Sequence, residues 1–141
     1  MTVSQKLLSG FKILVVEDEV VIREMIQEEL ESNGAAVVTA SGGNEAFDIF
    51  CKQRFDAVMS DVRMPGGDGV GLMKRIRDLT SDPAYDRANR TAKLFLCSAY
   101  GEQAATAAQD LRLTGILAKP FTWDALLATL AQSLIGEKSS A

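Results

Sequence analysis

The chain has 141 residues, 47% of them hydrophobic and 24% charged, which is the composition of one globular domain. It contains no histidine, so a Ser-His-Asp triad, a histidine-ligated metal and a phosphohistidine on this chain are excluded. The formal net charge of −4 argues against a non-specific nucleic-acid binder, which needs a basic surface.

Short apolar runs alternate along the chain with segments in which apolar residues recur at helical spacing. The runs predict strands at 11–16, 36–40, 55–60, 93–97 and 116–118. The periodic segments predict helices around 22–30, 46–50, 72–79, 102–111 and 126–134. Asn33 and Gly34 are expected to end the first helix, and Ser41 and Thr122 to cap the second and fifth. One domain, 11–135, then lies between tails at 1–10 and 136–141.

This alternation is typical of the α/β class and predicts a doubly wound (βα)5 fold with five parallel strands and helices on both faces of the sheet. The nearly continuous apolar strands agree with a sheet that is covered on both faces. In such sheets, ligands bind at the carboxyl ends of the strands near the topological switch point.

The two cysteines, Cys51 and Cys97, lack the spacing of a metal site, and both lie in apolar stretches. We expect two buried free thiols and a cytoplasmic protein. The longest apolar runs, such as residues 13–16, are too short to span a membrane.

Polar residues follow four of the predicted strands. Glu17 and Asp18 follow the first strand, Asp61 the third, Ser98 the fourth and Lys119 the fifth. If these strands are neighbours, three carboxylates, a hydroxyl and an ammonium share one small pocket. Taken singly, each residue has a simpler explanation: a helix cap, a first-turn acid, a turn residue or a solvated charge.

Crowded carboxylates repel one another, and a hard divalent cation removes that repulsion. Oxygen ligands alone favour Mg²⁺ or Mn²⁺ over zinc. Within this fold, Asp61 is the natural acceptor of a phosphoryl group, because its strand is central. Ser98 is placed to bond a phosphoryl oxygen, and Lys119 to neutralise its charge.

Four segments together resemble the receiver domain of two-component response regulators. They are Val15-Val16-Glu17-Asp18-Glu19, the stretch from Ser60 to Gly69, Cys97-Ser98-Ala99 and Ala118-Lys119-Pro120-Phe121. The resemblance covers residues 11–135, and each segment stands at the end of the corresponding strand. It implies the strand order 2-1-3-4-5 of a chemotaxis-type receiver.

By this resemblance, Asp18 and Asp61 bind Mg²⁺ directly, Glu17 binds it through water, and the backbone carbonyl of Arg63 completes the metal site. Asp61 is also implied to be the phosphoacceptor, assisted by Ser98 and Lys119. Pro120 occupies the position of a cis-proline in the family.

The resemblance implies a cytoplasmic protein that receives a phosphoryl group from a histidine kinase or a histidine phosphotransfer protein. Its output is a protein contact, without DNA or membrane binding, and no separate enzymatic substrate is expected. Three alternatives are an unphosphorylated pseudo-receiver, the receiver part of a longer regulator or hybrid kinase, and a phosphohydrolase of the haloacid-dehalogenase type. The phosphohydrolase needs D-x-D on the first strand, whereas Asp61 follows the third strand and Arg63 stands two residues later.

The chain departs from the family pattern in three places. Ile116 replaces the usual aromatic residue of the fifth strand, and Tyr100 is the candidate to respond in its place. Arg112-Leu113 replaces a small Gly-Ala pair, which predicts a different end to the fourth helix. The segment 80–90 is longer than usual and predicts an enlarged polar loop or, as an alternative, a loop that contacts a partner.

Overall fold

The computed structural model describes residues 7–64, 68–85, 92–98, 106 and 108–139. Its strands are β1 (Lys12–Val16), β2 (Ala36–Ala40), β3 (Ala57–Asp61), β4 (Lys93–Ser98) and β5 (Gly115–Ala118). Its helices are α1 (Val20–Ser32), α2 (Gly43–Lys52), α3 (Gly69–Thr80) and α5 (Trp123–Ser139). Residues 106 and 108–111 are also helical and are the described part of the fourth helix, α4. None of the described helices combines the length and hydrophobicity that crossing a lipid bilayer requires.

All five strands are parallel, and their order is β2-β1-β3-β4-β5, which confirms the predicted fold. The chain steps from β1 to β2 on one side and returns to place β3 on the other side of β1. The switch point therefore lies between β1 and β3, at the edge where their carboxyl ends meet.

The sheet separates two apolar layers, and alternate residues of each strand point into each layer. In β1, Leu14 and Val16 face the layer formed with α2 and α3. Ile13 and Val15 face the layer formed with α1 and α5. Burial on both sides explains why β1 is a continuous apolar run rather than an alternating one.

Three helix ends can be compared with their predictions. α1 ends at Asn33 and Gly34 as predicted, and Gly34 has a left-handed φ of +96°. Thr122 accepts a hydrogen bond from the Ala125 N–H at 3.0 Å, as a cap of α5 would. The prediction for Ser41 was wrong: Gly42 is the cap residue of α2, and the Ser41 N–H and hydroxyl both donate to Glu45.

Two other expectations need correction. Cys51 is exposed, whereas Cys97 is buried. The buried face of α2 carries Ala46 and Phe50, and the next residue is rotated by about 100° around the helix, which turns Cys51 outward. α5 runs to Ser139, so the residues 136–139 that we expected in a tail are helical. Gly136 lies inside α5, where a glycine costs only about 1 kcal/mol.

The core begins before the predicted domain start at residue 11. The Leu8 side chain is 0% exposed and belongs to the layer that contains α1 and α5. Its N–H donates to the carbonyl of Asn33 at the end of α1, over 2.9 Å. The expected N-terminal tail thus contributes a core residue.

We predict that Leu8→Ala lowers the free energy of unfolding by about 2–5 kcal/mol, because it leaves a cavity in a closed layer. Urea denaturation measures this quantity. Leu7→Ala is the matched control, since Leu7 is 41% exposed and its loss should cost little. Equal destabilisation by the two variants would contradict the assignment of Leu8 to the core.

Candidate functional site

The carboxyl ends of β1 and β3 bring the acidic residues together. In the parallel register Val16 lies opposite Ser60, so the following residues, Glu17 and Asp61, leave the sheet side by side. Glu17, Asp18 and Asp61 each offer a carboxylate oxygen, and these oxygens lie within 4.8 Å of one another. The sheet thus assembles the three acids that the sequence placed in two separate segments.

Lys119 is the positive partner of this cluster. Its Nζ lies 3.2 Å from Asp61 Oδ2 and 3.3 Å from Glu17 Oε1. The backbone N–H of Lys119 donates to the carbonyl of Ser98 at 2.9 Å, which ties the end of β5 to the end of β4. The peptide bond between Lys119 and Pro120 is cis, as the resemblance implied.

For each residue of the Lys119–Glu17 ion pair, burial and ion pairing shift the pKa in opposite directions. Burial raises the pKa of Glu17, and the N–H of Glu19 and the charge of Lys119 offset this only in part. Burial lowers the pKa of Lys119, but the charges of Asp61 and Glu17 outweigh it, so the net shift is upward. The difference follows from depth, because the side chain of Glu17 is 3% exposed and that of Lys119 is 23% exposed. Lys119 is therefore a firmly charged ammonium, while Glu17 is a carboxylate whose charge is costly to bury.

The remaining polar contacts fix the backbone around the acids. Asp61 Oδ1 accepts from the N–H of Val62 at 3.0 Å, which leaves Oδ2 for Lys119. Glu17 Oε2 accepts from the N–H of Glu19 at 3.2 Å. The Arg23 guanidinium donates to the carbonyl of Glu17 at 2.9 Å and so attaches α1 to the end of β1.

Gly69 is a site residue that the sequence analysis missed. A Cβ at this position would collide with the backbone carbonyl of Asp61 and come within 3.0 Å of Ser60 Oγ. The N–H of Gly69 donates to the carbonyl of Val62 at 2.8 Å, and Asp68 caps α3 through the Gly71 N–H. The first residue of α3 therefore lies directly against the backbone of Asp61. The one sequence signal was the glycine-rich turn that follows Asp61.

Cys97 lies opposite Asp61 in the register and is buried beneath the site. Burial raises the pKa of its thiol to about 12. The thiol therefore stays protonated at neutral pH and cannot compete with Asp61 as a nucleophile.

The other residues singled out in the sequence have the following places. Ser98 is a buried residue at the end of β4, opposite Ala118 in the register. Arg63 is exposed and lies two residues beyond Asp61 at the same edge of the sheet. Ile116 packs half-buried against the layer that contains α2 and α3. Tyr100 lies outside the described residues.

Residues 13–131 match the family model described as "Response regulator receiver domain". The chain belongs to the response regulator receiver family. It is 31% identical over 114 residues to sporulation initiation phosphotransferase F of Bacillus subtilis, covering 80% of this chain and 85% of the relative. It spans about half the length of several other curated relatives that it matches.

Two solved structures show the similarity of the fold. The chemotaxis protein CheY4 of Vibrio cholerae is 30% identical, with a TM-score of 0.77 over 90% of this chain and 99% of that one. The receiver domain of the sensor histidine kinase PA1611 from Pseudomonas aeruginosa is 29% identical, with a TM-score of 0.74 over 91% of this chain and 99% of that one. The latter structure has a magnesium ion coordinated in its active-site cleft.

The buried position of Glu17 leads to a test by pH. Since burial raises its pKa above the ordinary 4.5, the folded state binds more protons than the unfolded state just above that pH. The contribution of Glu17 to the free energy of unfolding should therefore fall as the pH rises from 4.5 through its folded pKa, so stability relative to the wild type should rise over this range in Glu17→Gln. Urea denaturation in EDTA over a pH series measures it. Glu19→Gln, which removes a carboxylate from an exposed position, is the control and should keep the wild-type slope.

Proposed function

We propose that Asp61 of this chain accepts a phosphoryl group from the phosphohistidine of a partner protein, in the presence of Mg²⁺. The observation that carries the proposal is the Lys119 ammonium held between Asp61 and Glu17, next to Asp18. Phosphorylation would replace the single negative charge of the Asp61 carboxylate by the roughly two negative charges of an acyl phosphate, and a positive partner at this position would offset that gain.

The donor set fits a magnesium ion. Glu17, Asp18 and Asp61 would hold the ion, together with the backbone carbonyl of Arg63, and hard oxygen ligands are those that Mg²⁺ prefers. When bound, the ion would supply positive charge against the oxygens of the phosphoryl group. The magnesium ion in the PA1611 receiver domain supports this choice of metal.

Asp61, Lys119 and Ser98 each have a role in the proposed transfer. A carboxylate oxygen of Asp61 forms the new O–P bond while the N–P bond of the partner's phosphohistidine breaks, and the electron pair of that bond stays on the imidazole nitrogen. Lys119 Nζ, already 3.2 Å from Asp61 Oδ2, would move its pairing to the arriving phosphoryl oxygens. Ser98, at the neighbouring strand end, would donate its hydroxyl to the phosphoryl group.

The proposed donor is a histidine kinase or a histidine phosphotransfer protein, because this chain has no histidine of its own. The name of the relative, sporulation initiation phosphotransferase F, supports a role in phosphoryl transfer. We propose that the transfer takes place in the cytoplasm, that the chain turns over no separate substrate, and that its output is a changed protein contact. The presence of the acids, Ser98 and Lys119 favours this function over an unphosphorylated interaction module.

We expect the wild-type protein to gain one phosphoryl group when it is incubated with Mg²⁺ and acetyl phosphate, as measured by intact mass. Asp61→Asn should gain none, because an amide oxygen is a far weaker nucleophile than a carboxylate. Asp56→Asn, at the opposite end of β3, should be labelled like the wild type. Undiminished labelling of Asp61→Asn would overturn the proposal.

We also expect Mg²⁺ to stabilise the protein by mass action, by about 2.7 kcal/mol at a hundredfold excess over its Kd. Asp18→Asn should lose most of this gain. The same variant should be more stable than the wild type without metal, because it relieves carboxylate repulsion. Thermal unfolding with and without Mg²⁺ measures both effects, with Asp48→Asn on α2 as the control. A wild-type response to Mg²⁺ in Asp18→Asn would show that the metal binds elsewhere.

A further inference from the structure

The C-terminal end of α4 has a left-handed arginine where a glycine is usual. Arg112 has a φ of +54°, its N–H donates to Gln109, and the N–H of Leu113 donates to Ala108 over 2.9 Å. These paired bonds define a Schellman motif, in which the left-handed residue is most often glycine. A side chain in this conformation costs more than glycine does, because its Cβ crowds the following carbonyl.

The same molecule contains the ordinary version of this motif. At the end of α1, the N–H of Gly34 donates to Glu31 and that of Ala35 donates to Leu30. Gly34 takes the left-handed conformation, with a φ of +96°. The two helix ends differ in the residue at the left-handed position, which is Gly34 at α1 and Arg112 at α4.

Arg77, in the last turn of α3, supplies a contact that compensates for this cost. Its Nε donates to the carbonyl of Leu111 at 2.8 Å, and its second guanidinium nitrogen donates to the carbonyl of Arg112 at 2.6 Å. Carbonyls at the end of a helix lack partners within the helix, so these bonds cap α4 from a neighbouring helix. Burial, and then the charge of Arg112, lower the pKa of Arg77.

The connection that follows is also attached to the core. The N–H of Thr114 donates to the carbonyl of Leu94 at 2.8 Å, and the hydroxyl of Thr114 accepts from the N–H of Leu94 at 3.0 Å. Residues 111–114 are therefore bound to α3 on one side and to β4 on the other. Both elements contribute residues to the apolar layer that contains α2 and α3.

We propose that Arg77 is a positioning residue that fixes the C-terminal end of α4 to α3. If Asp61 is phosphorylated as proposed above, on which this inference rests, the response then does not extend to the C-terminal end of α4. The end itself, residues 111–114, stays in place. The departure from the family pattern at Arg112 and Leu113 would thus determine which part of the fourth-helix region can move.

The chain offers a matched control on the same helix. Arg75 donates to Asn44 Oδ1 at 2.9 Å and lies over the ring of Phe47, 4.2 Å from its centroid. It attaches α3 to α2 rather than to α4. Arg75→Gln therefore removes an α3 arginine and its contacts without touching the end of α4.

The test follows backbone amides by NMR hydrogen exchange in the wild type, Arg77→Gln and Arg75→Gln, with and without Mg²⁺ and beryllofluoride. In the wild type, beryllofluoride should change the amides of Asp61 and Ser98 and leave exchange at Arg112 and Leu113 unchanged. In Arg77→Gln, exchange at Arg112 and Leu113 should be roughly 5- to 30-fold faster, the range set by the cost of a left-handed side chain. These amides should then also respond to beryllofluoride, while Arg75→Gln should behave like the wild type.

Two further variants separate capping from a general loss of structure. Arg77→Lys replaces two separate guanidinium donors by one ammonium nitrogen and should give intermediate exchange. Arg112→Gly in the Arg77→Gln background should restore most of the protection, because glycine takes the left-handed conformation at little cost.

The proposal is overturned if Arg77→Gln and Arg75→Gln exchange alike at Arg112 and Leu113, if Arg112→Gly rescues nothing, or if these amides in the wild type respond to beryllofluoride as strongly as Ser98. The proposed function fails separately, if beryllofluoride changes neither Asp61 nor Ser98. In that case, the exchange comparison without beryllofluoride still decides whether Arg77 holds the end of α4.

Discussion

The ammonium of Lys119 between Asp61 and Glu17 is the interaction on which the site depends. Three carboxylates within 4.8 Å of one another would repel strongly, and burial of Glu17 adds to that cost. Lys119 offsets part of the repulsion and, from the same position, can pair with the oxygens of a phosphoryl group. One side chain therefore both stabilises the resting cluster and provides the charge that the proposed reaction needs.

The sheet is what makes this arrangement rigid. β1 and β3 are central strands buried on both faces, so the backbone from which the acids project has little freedom to move. The close approach of Gly69 and the Arg23 bond to the carbonyl of Glu17 fix the two strand ends from opposite sides of the sheet. The positions of the site residues are thus fixed by the packing of the whole sheet and not only by contacts within the site.

Away from the site, the end of α4 is held by a residue of another helix. Arg112 takes a left-handed conformation there, and contacts from Arg77 support it. Ile116 follows shortly after on β5, packed against the same layer as α3.

Local sequence was sufficient for the strand and helix alternation, and for the placement of Glu17, Asp61, Ser98 and Lys119 at strand ends. The reason is that the carboxyl ends of parallel strands share one edge of the sheet, so position along the chain already implies proximity. Local sequence could not show that Leu8 completes a core layer, that Cys51 faces outward or that Arg77 caps another helix. Periodicity reports which face of an element is apolar, but not which distant residue comes to lie against it. Those contacts join residues far apart in the chain, and only the packing of α3 against the end of α4, or of the N-terminal segment against α1, decides them.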